Sequence, residues 1–315
     1  DVKLRLKGDW VDHLRGNKWS FRVSLKTGQA WEGLTTFSLQ TPQARDFLNE
    51  FVFHKLLEKV DVLTTSYTFV WLKINQISYG IYALEEHFEK QLVESRKRRE
   101  GPILKFSEDA LWKMRQREFL DKCRFIDNDI TMNAADIEAF GMSKVQKSPV
   151  LNREFRIAQN LMAQLRDRKK EAGEVLDVDR VMRYFAISDL CRTYHNFIWH
   201  NQRWYYNPIT QKLEPIGYDG DTGGGMKYKM KMKTIAEGGG SLPPMVWRLL
   251  INDRNFQQNV NCLKEYTSEG WLNAFFEENE PEIRHWERLI AKEFPGYTYD
   301  KAEFLENASL VRKRA

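Results

Sequence analysis

Apolar and polar positions alternate in Val2-Lys3-Leu4-Arg5-Leu6 and again in Trp19-Ser20-Phe21-Arg22-Val23-Ser24-Leu25, the period of a half-buried strand. The second run puts Ser20, Arg22, Ser24 and Lys26 on one face and Trp19, Phe21, Val23 and Leu25 on the other. A polar face carrying cations either lines a cleft or meets solvent, and both readings stand. From Pro42 to Lys59 the spacing changes to three and four. Thr41 suits an N-cap, Pro42 the first helical position, and Phe47, Leu48, Phe51, Leu56 and Leu57 an apolar side, which predicts a helix packed on the sheet. Two further strands are predicted, Tyr67 to Ile74 and Tyr79 to Leu84, turning at Asn75-Gln76. The second leads into the acidic stretch Glu85-Glu86-His87-Phe88.

A charged segment, Glu94 to Glu100, reads as a solvated helix end, and a short strand follows at Ile103 to Phe106. Beyond it the spacing is mainly helical. Phe155, Ala158, Leu161, Met162 and Leu165 mark one helix, and Asp177 can cap another carrying Val181, Met182, Phe185 and Leu190. From His195 to Gly225 the pattern breaks: two His-Asn pairs, an aromatic strand at Trp204-Tyr205-Tyr206, a turn at Asn207-Pro208, and a returning strand that ends in Asp219-Gly220-Asp221. Next comes a lysine at every second place from Lys227 to Lys233, read as a mobile basic loop or a short edge strand near the site. Helical patterns then run to about Arg288, and the tail at Arg312 to Arg314 is expected to fray.

A chain of 315 residues with 30% charged residues is long enough for two lobes and too polar for a membrane interior. No apolar run reaches the roughly twenty residues of a membrane span. The chain starts abruptly in strand-like sequence, so a preceding segment is expected to be missing from it. The net charge of +5 is scattered, which argues against nucleic-acid binding. Cys123, Cys191 and Cys262 lack the spacing of a metal site or disulfide framework and read as ordinary buried thiols.

The hairpin's end is the candidate chemistry. Carboxylate and amide oxygens gathered beside flexible glycines are hard ligands of the kind Mg²⁺ prefers when it also holds phosphates. The same residues also make a turn and ordinary caps.

Several words in the chain sharpen the picture: LKGDW, KWSFRV, FSLQTP, GIYALEEHF, RREGPILKF, HNQRWYYNP and PIGYDGD. Together they resemble the CotH family, atypical protein kinases named for a spore-coat protein, over nearly the whole chain. The resemblance implies an α+β, protein-kinase-like two-lobe fold: a strand-rich first lobe over residues 1–106 with a hinge near 84–90, and a helical second lobe over 107–315 carrying the hairpin of 195–225. It implies ATP and Mg²⁺ or Mn²⁺ as cofactors, and γ-phosphoryl transfer to a Ser or Thr of a protein substrate. Asp219 would hold the metal with Asn201, and Asp221 is a possible second carboxylate ligand or a turn cap. The family's catalytic Asp falls on Asn196, an amide that cannot accept a proton as a carboxylate would. His195 and His200 are then candidate bases or structural hydrogen-bonders. Ser24 stands where relatives carry a lysine, which leaves Arg22, Lys26 or Lys18 as phosphate cation, with Glu50 as its helix partner and Glu85 and Glu86 at the adenine hinge. A nucleotide-binding pseudokinase scaffold, or another transfer from ATP such as adenylylation or amino-acid ligation, is the alternative. The compartment stays open between a bacterial cell envelope and the cytoplasm.

Overall fold

The computed structural model describes residues 2–8, 18–121, 132–193, 195–220 and 244–315. Asp221 and the lysine-rich stretch of 227–233 lie outside them.

The alternating segments form the strands expected of them. β1 (Val2–Leu6), β2 (Phe21–Leu25), β3 (Thr36–Gln40), β5 (Tyr67–Ile74) and β6 (Ile77–Glu86) build one antiparallel sheet in the order β1-β2-β3-β6-β5; β4 (Leu63–Thr64) lies elsewhere. Asn75 and Gln76 both have positive φ, 50° and 66°, which is the backbone a tight two-residue hairpin requires. One cross-strand row runs Arg5, Arg22, Ser38, Glu85, Tyr67 through all five strands. Glu85 and Glu86, adjacent in sequence, therefore leave the sheet on opposite faces.

The predicted helix from Pro42 is divided. A 3-10 turn covers Pro42–Arg45, and α1 begins only at Leu48 and runs to Lys59. Between them Asp46 and Phe47 adopt φ of 47° and 52°. The cause is tertiary: Phe47 packs on Phe294 and Tyr297 from the end of the chain, with ring centroids 5.1 and 4.4 Å away, and Leu48 N donates to Tyr297 Oη at 3.1 Å. That bond satisfies one of the helix's orphan amides. Leu48, Phe51, Val52, Phe53, Leu56 and Leu57 are all buried, so α1 is enclosed on several sides and is not merely laid on the sheet.

A second sheet runs β4-β10-β9-β7-β8, made of β4, β7 (Ile103–Phe106), β8 (Ile137–Ala139), β9 (Arg203–Asn207) and β10 (Lys212–Gly217). It draws on both sides of residue 106, because β4 pairs parallel with β10 and β7 pairs with β9. The helices numbered here are α2 (Lys90–Ser95), α3 (Asp109–Asp121), α4 (Met142–Lys147), α5 (Pro149–Arg166), α6 (Ala172–Val175), α7 (Val178–Leu190), α8 (Pro244–Leu250), α9 (Asp253–Tyr266), α10 (Glu269–Ala291) and α11 (Lys301–Arg314). Asp177 caps α7 through Arg180 N, as its position predicts.

Two local expectations are corrected. The tail does not fray: α11 docks through the buried Asn307, Ala308 and Val311. The charged segment at 94–100 is not simply a solvated end, since Arg96 pairs with Glu86 at 3.0 Å and Arg98 with Asp61 at 2.7 Å and Glu214 at 3.1 Å. These cations tie the exit of the first sheet to the second, where Glu214 is fully buried and needs them. Among the described residues no helix is long and apolar enough to cross a membrane.

Candidate functional site

β10 delivers Asp219 just past its end, at φ 55°, beside residues from the first sheet and α1. Arg45, on the 3-10 turn before α1, pairs through Nη2 with Asp219 Oδ1, and His195 Nδ1 donates to Oδ2 at 3.0 Å. Glu50 on α1 accepts from Gly220 N at 3.1 Å, which holds the loop immediately after Asp219. The backbone approaches closely here, as a Cβ on Gly220 would stand 2.8 Å from Phe53 and 2.9 Å from Thr193. Glu50 also meets His54 Nε2 at 3.2 Å, His54 Nδ1 meets Thr64 Oγ1, and Thr64 donates to Gly217 O at 2.8 Å. A chain of buried polar groups thus fastens α1 to the strand that carries Asp219.

Charge in the cluster is balanced by neighbours. Burial pushes the Asp219 carboxyl up, but Arg45 and then His195 outweigh it and hold it far below the usual carboxylate range. Burial lowers His195, yet Asp219 reverses this and leaves the ring above its ordinary value. The carboxylate thus favours the charged form of this ring, which serves it as a hydrogen-bond donor. His200 goes the other way, down to about 4, through burial first and the neighbouring charges of His195 and Arg203 second. Glu85 is lowered by Lys7 against the effect of burial, and Lys7 reaches it at 2.9 Å and Gln40 at 3.3 Å.

The candidates divide by place. Asp219, His195, Asn201 and Glu50 come together: Asn201 Nδ2 donates to His195 O at 2.9 Å, and its side chain also meets the His200 ring. Asn196 turns into the core, where Nδ2 donates to Tyr184 Oη at 2.9 Å and Ser188 Oγ at 3.0 Å, and it lines a small cavity of about 20 Å³ with Gln202, Trp204 and Met245. Arg22 reaches His87 Nδ1 and is half-buried, with Ser20 on the same face only 1% exposed. Lys18 pairs with Glu293 at 2.6 Å and donates to Ile81 O at 2.8 Å, while Lys26 is exposed at the end of β2. Glu86 is committed to Arg96 and Ser66 N, whereas Glu85 faces Lys7.

Sequence reasoning passed over two cations. Neither Arg45 nor Lys7 stands out from the sequence as part of the site. The signal for Lys7 was a cation directly before Gly8, which has φ 109°, at the end of an alternating strand. The i,i+4 spacing of Glu50 and His54 was the signal for the buried chain.

A family model described as CotH kinase protein matches residues 4–312. The chain belongs to the CotH kinase family. No curated protein matches it. Among solved structures it is similar to a chain of the Shewanella oneidensis MR-1 toxin–antitoxin complex of HipA, HipB and operator DNA. That match has 12% identity and a TM-score of 0.38, over 99% of this chain and 71% of the other. Membership fits the strand-rich first part and mainly helical remainder.

The residues fit, in kind, the divalent cation that a kinase family implies. Among the described residues no group of three or more His, Cys, Asp or Glu could hold a metal. Mg²⁺ with a nucleotide asks for less, one or two carboxylates with the rest of its shell from phosphates and water. Asp219 and Asn201 would supply the protein's share.

Proposed function

We propose that the chain binds ATP with Mg²⁺ or Mn²⁺ where the polar row of the first sheet meets the end of β10, and transfers the γ-phosphoryl group to a Ser or Thr of a protein substrate. The observation that supports this best is the convergence on Asp219 of Arg45, His195 and, through Gly220, Glu50. The bound metal nucleotide would supply the transferable phosphoryl group. Asp219 and Asn201 hold the cation; Lys7 and Arg45 offer charge to phosphate oxygens; Glu50 keeps the loop after Asp219 in place. Phosphoryl transfer asks mostly for positioning and charge neutralisation, so a site of this kind works, slowly, without a carboxylate base. His200, neutral at physiological pH, is the nearby ring able to accept the hydroxyl proton. An absent base costs on the order of a hundred- to ten-thousand-fold in rate where proton transfer limits it.

The inward turn of Asn196 favours a second reading, a module that binds nucleotide without transferring from it. Incubation with ATP labelled separately at the α- and γ-phosphates, followed by mass spectrometry, separates the cases. Transfer of the γ label supports the kinase, transfer of the α label indicates adenylylation, and binding without either indicates the module. Asp219→Asn is expected to abolish metal-dependent ATP binding, and unchanged affinity in that variant would refute the site.

A further inference from the structure

Arg45 stands where a metal would need to be. Its Nη2 lies on Asp219 Oδ1, its Nη1 donates to Ala44 O at 2.9 Å, and its Nε is buried without a hydrogen-bond partner among the described residues. A guanidinium carries five N–H donors, so this one keeps donors in reserve. Asp219 Oδ2 is already taken by His195 at 3.0 Å. With Oδ2 in that bond, a divalent cation reaching the carboxylate meets Arg45 at Oδ1 and competes with it there. The displaced guanidinium then needs another anion. Glu50 is committed to Gly220 and His54, and Glu85 to Lys7.

The backbone under Arg45 is held. Asp46 and Phe47 follow it in left-handed φ, and the Phe47 ring is packed on Phe294 and Tyr297. Exchange of partner is thus a rotation of the side chain about a fixed turn. Phosphate oxygens suit the planar fork, which can meet them two at a time.

We infer that Arg45 is a resident counter-ion of the nucleotide site, paired with Asp219 while the cleft holds no nucleotide and passed to phosphate oxygens when a divalent cation takes that carboxylate. The inference rests on the nucleotide-binding part of the proposed function. Its consequence is a coupling: metal alone binds poorly because it strands a cation, and metal with triphosphate binds well because the anion receives it.

Calorimetry with Mn²⁺ alone, and with a non-hydrolysable ATP analogue at saturating Mn²⁺, tests this on the wild-type chain, Arg45→Gln and Arg45→Lys, with folding checked by circular dichroism. Arg45→Gln is expected to bind Mn²⁺ alone about tenfold tighter and the analogue about tenfold weaker, since it removes both a competitor and a phosphate contact. Arg45→Lys should move both in the same directions by about threefold, a point charge being the weaker partner in each state. If Arg45→Gln does not fold, the opposed movement in Arg45→Lys decides. Affinities that move together, or do not move, overturn the inference. Wild-type binding of the analogue is read in the same titration. Its absence sinks the proposed function as well, whereas binding that the variants leave untouched sinks the inference alone.

Discussion

Removing Glu50 tests whether the buried polar chain holds the site together. The residue is fully buried on α1, and its carboxylate accepts from Gly220 N and meets His54 Nε2. Glu50→Ala leaves both partners without it inside the protein. At about 1–3 kcal/mol for each buried group that loses its partner, the loss is about 2–6 kcal/mol, a large share of the roughly 5–15 kcal/mol that holds a typical domain folded. Glu50→Gln keeps an acceptor for Gly220 and gives up the charge beside Arg45, so about 1–2 kcal/mol is expected. Urea unfolding near neutral pH, followed by tryptophan fluorescence, reads this. With a slope of about 3 kcal/mol per molar urea, a loss of about 3 kcal/mol lowers the midpoint by about 1 M. The metal-dependent affinity for an ATP analogue should fall in the same order, Ala below Gln below wild type, because the loop after Asp219 loses its anchor. If Glu50→Ala stays within about 0.5 kcal/mol of wild type, a size ordinary for surface substitutions, the chain from α1 to Gly217 contributes nothing and the reasoning fails.

Stability should fall steeply on acidification below the ordinary histidine value. Burial first, and then neighbouring cations, push His87 and His200 down to about 2 and about 4, so unfolding takes up a proton at each between those values and 6.5. With both taken up, the slope near pH 5 is about 2.5 kcal/mol per pH unit, and it should be nearly halved in His200→Gln; a flat unfolding profile from pH 5 to 6 contradicts this. His195, raised by Asp219, contributes stability that is complete below 6.5 and lost as the pH climbs through its folded value, so His195→Gln should flatten the alkaline side of the same profile. Gly80 sits at φ 78°, and a Cβ there would fall on the Glu293 carboxylate, 2.6 Å from its Cδ, where Glu293 accepts from Ile81 N at 2.5 Å. Gly80→Ala should therefore cost about 2–4 kcal/mol through strain and the displaced bond, read as a lowered Tm, and an unchanged Tm would show that the end of the chain does not latch the first sheet.

Much of the fold was legible from period alone. Alternation in Phe21–Leu25 and Tyr67–Ile74, the Asn75-Gln76 turn and the Asp177 cap depend on neighbours a few residues away, and local chemistry settles them. The hairpin that ends at Asp219 was legible for the same reason, as its turn residues and aromatic strands are contiguous. The family resemblance rested on words spread along the chain, and the match over residues 4–312 bears out that resemblance.

What lay beyond the sequence was every feature that joins distant segments. The break at Asp46 and Phe47 answers to Phe294 and Tyr297, some 250 residues away, and no periodicity near Pro42 could announce it. Arg96 and Arg98 read as a solvated run until Glu86, Asp61 and Glu214 arrive from three other elements. The same holds at the site. The sequence by itself determined that a carboxylate would stand at a hairpin's end, because strand and turn are local. Only the tertiary structure decided that Arg45 faces it, that Asn196 turns to the core and that Lys18 goes to Glu293, since a charge takes the partner that burial leaves it and burial is a property of the whole chain.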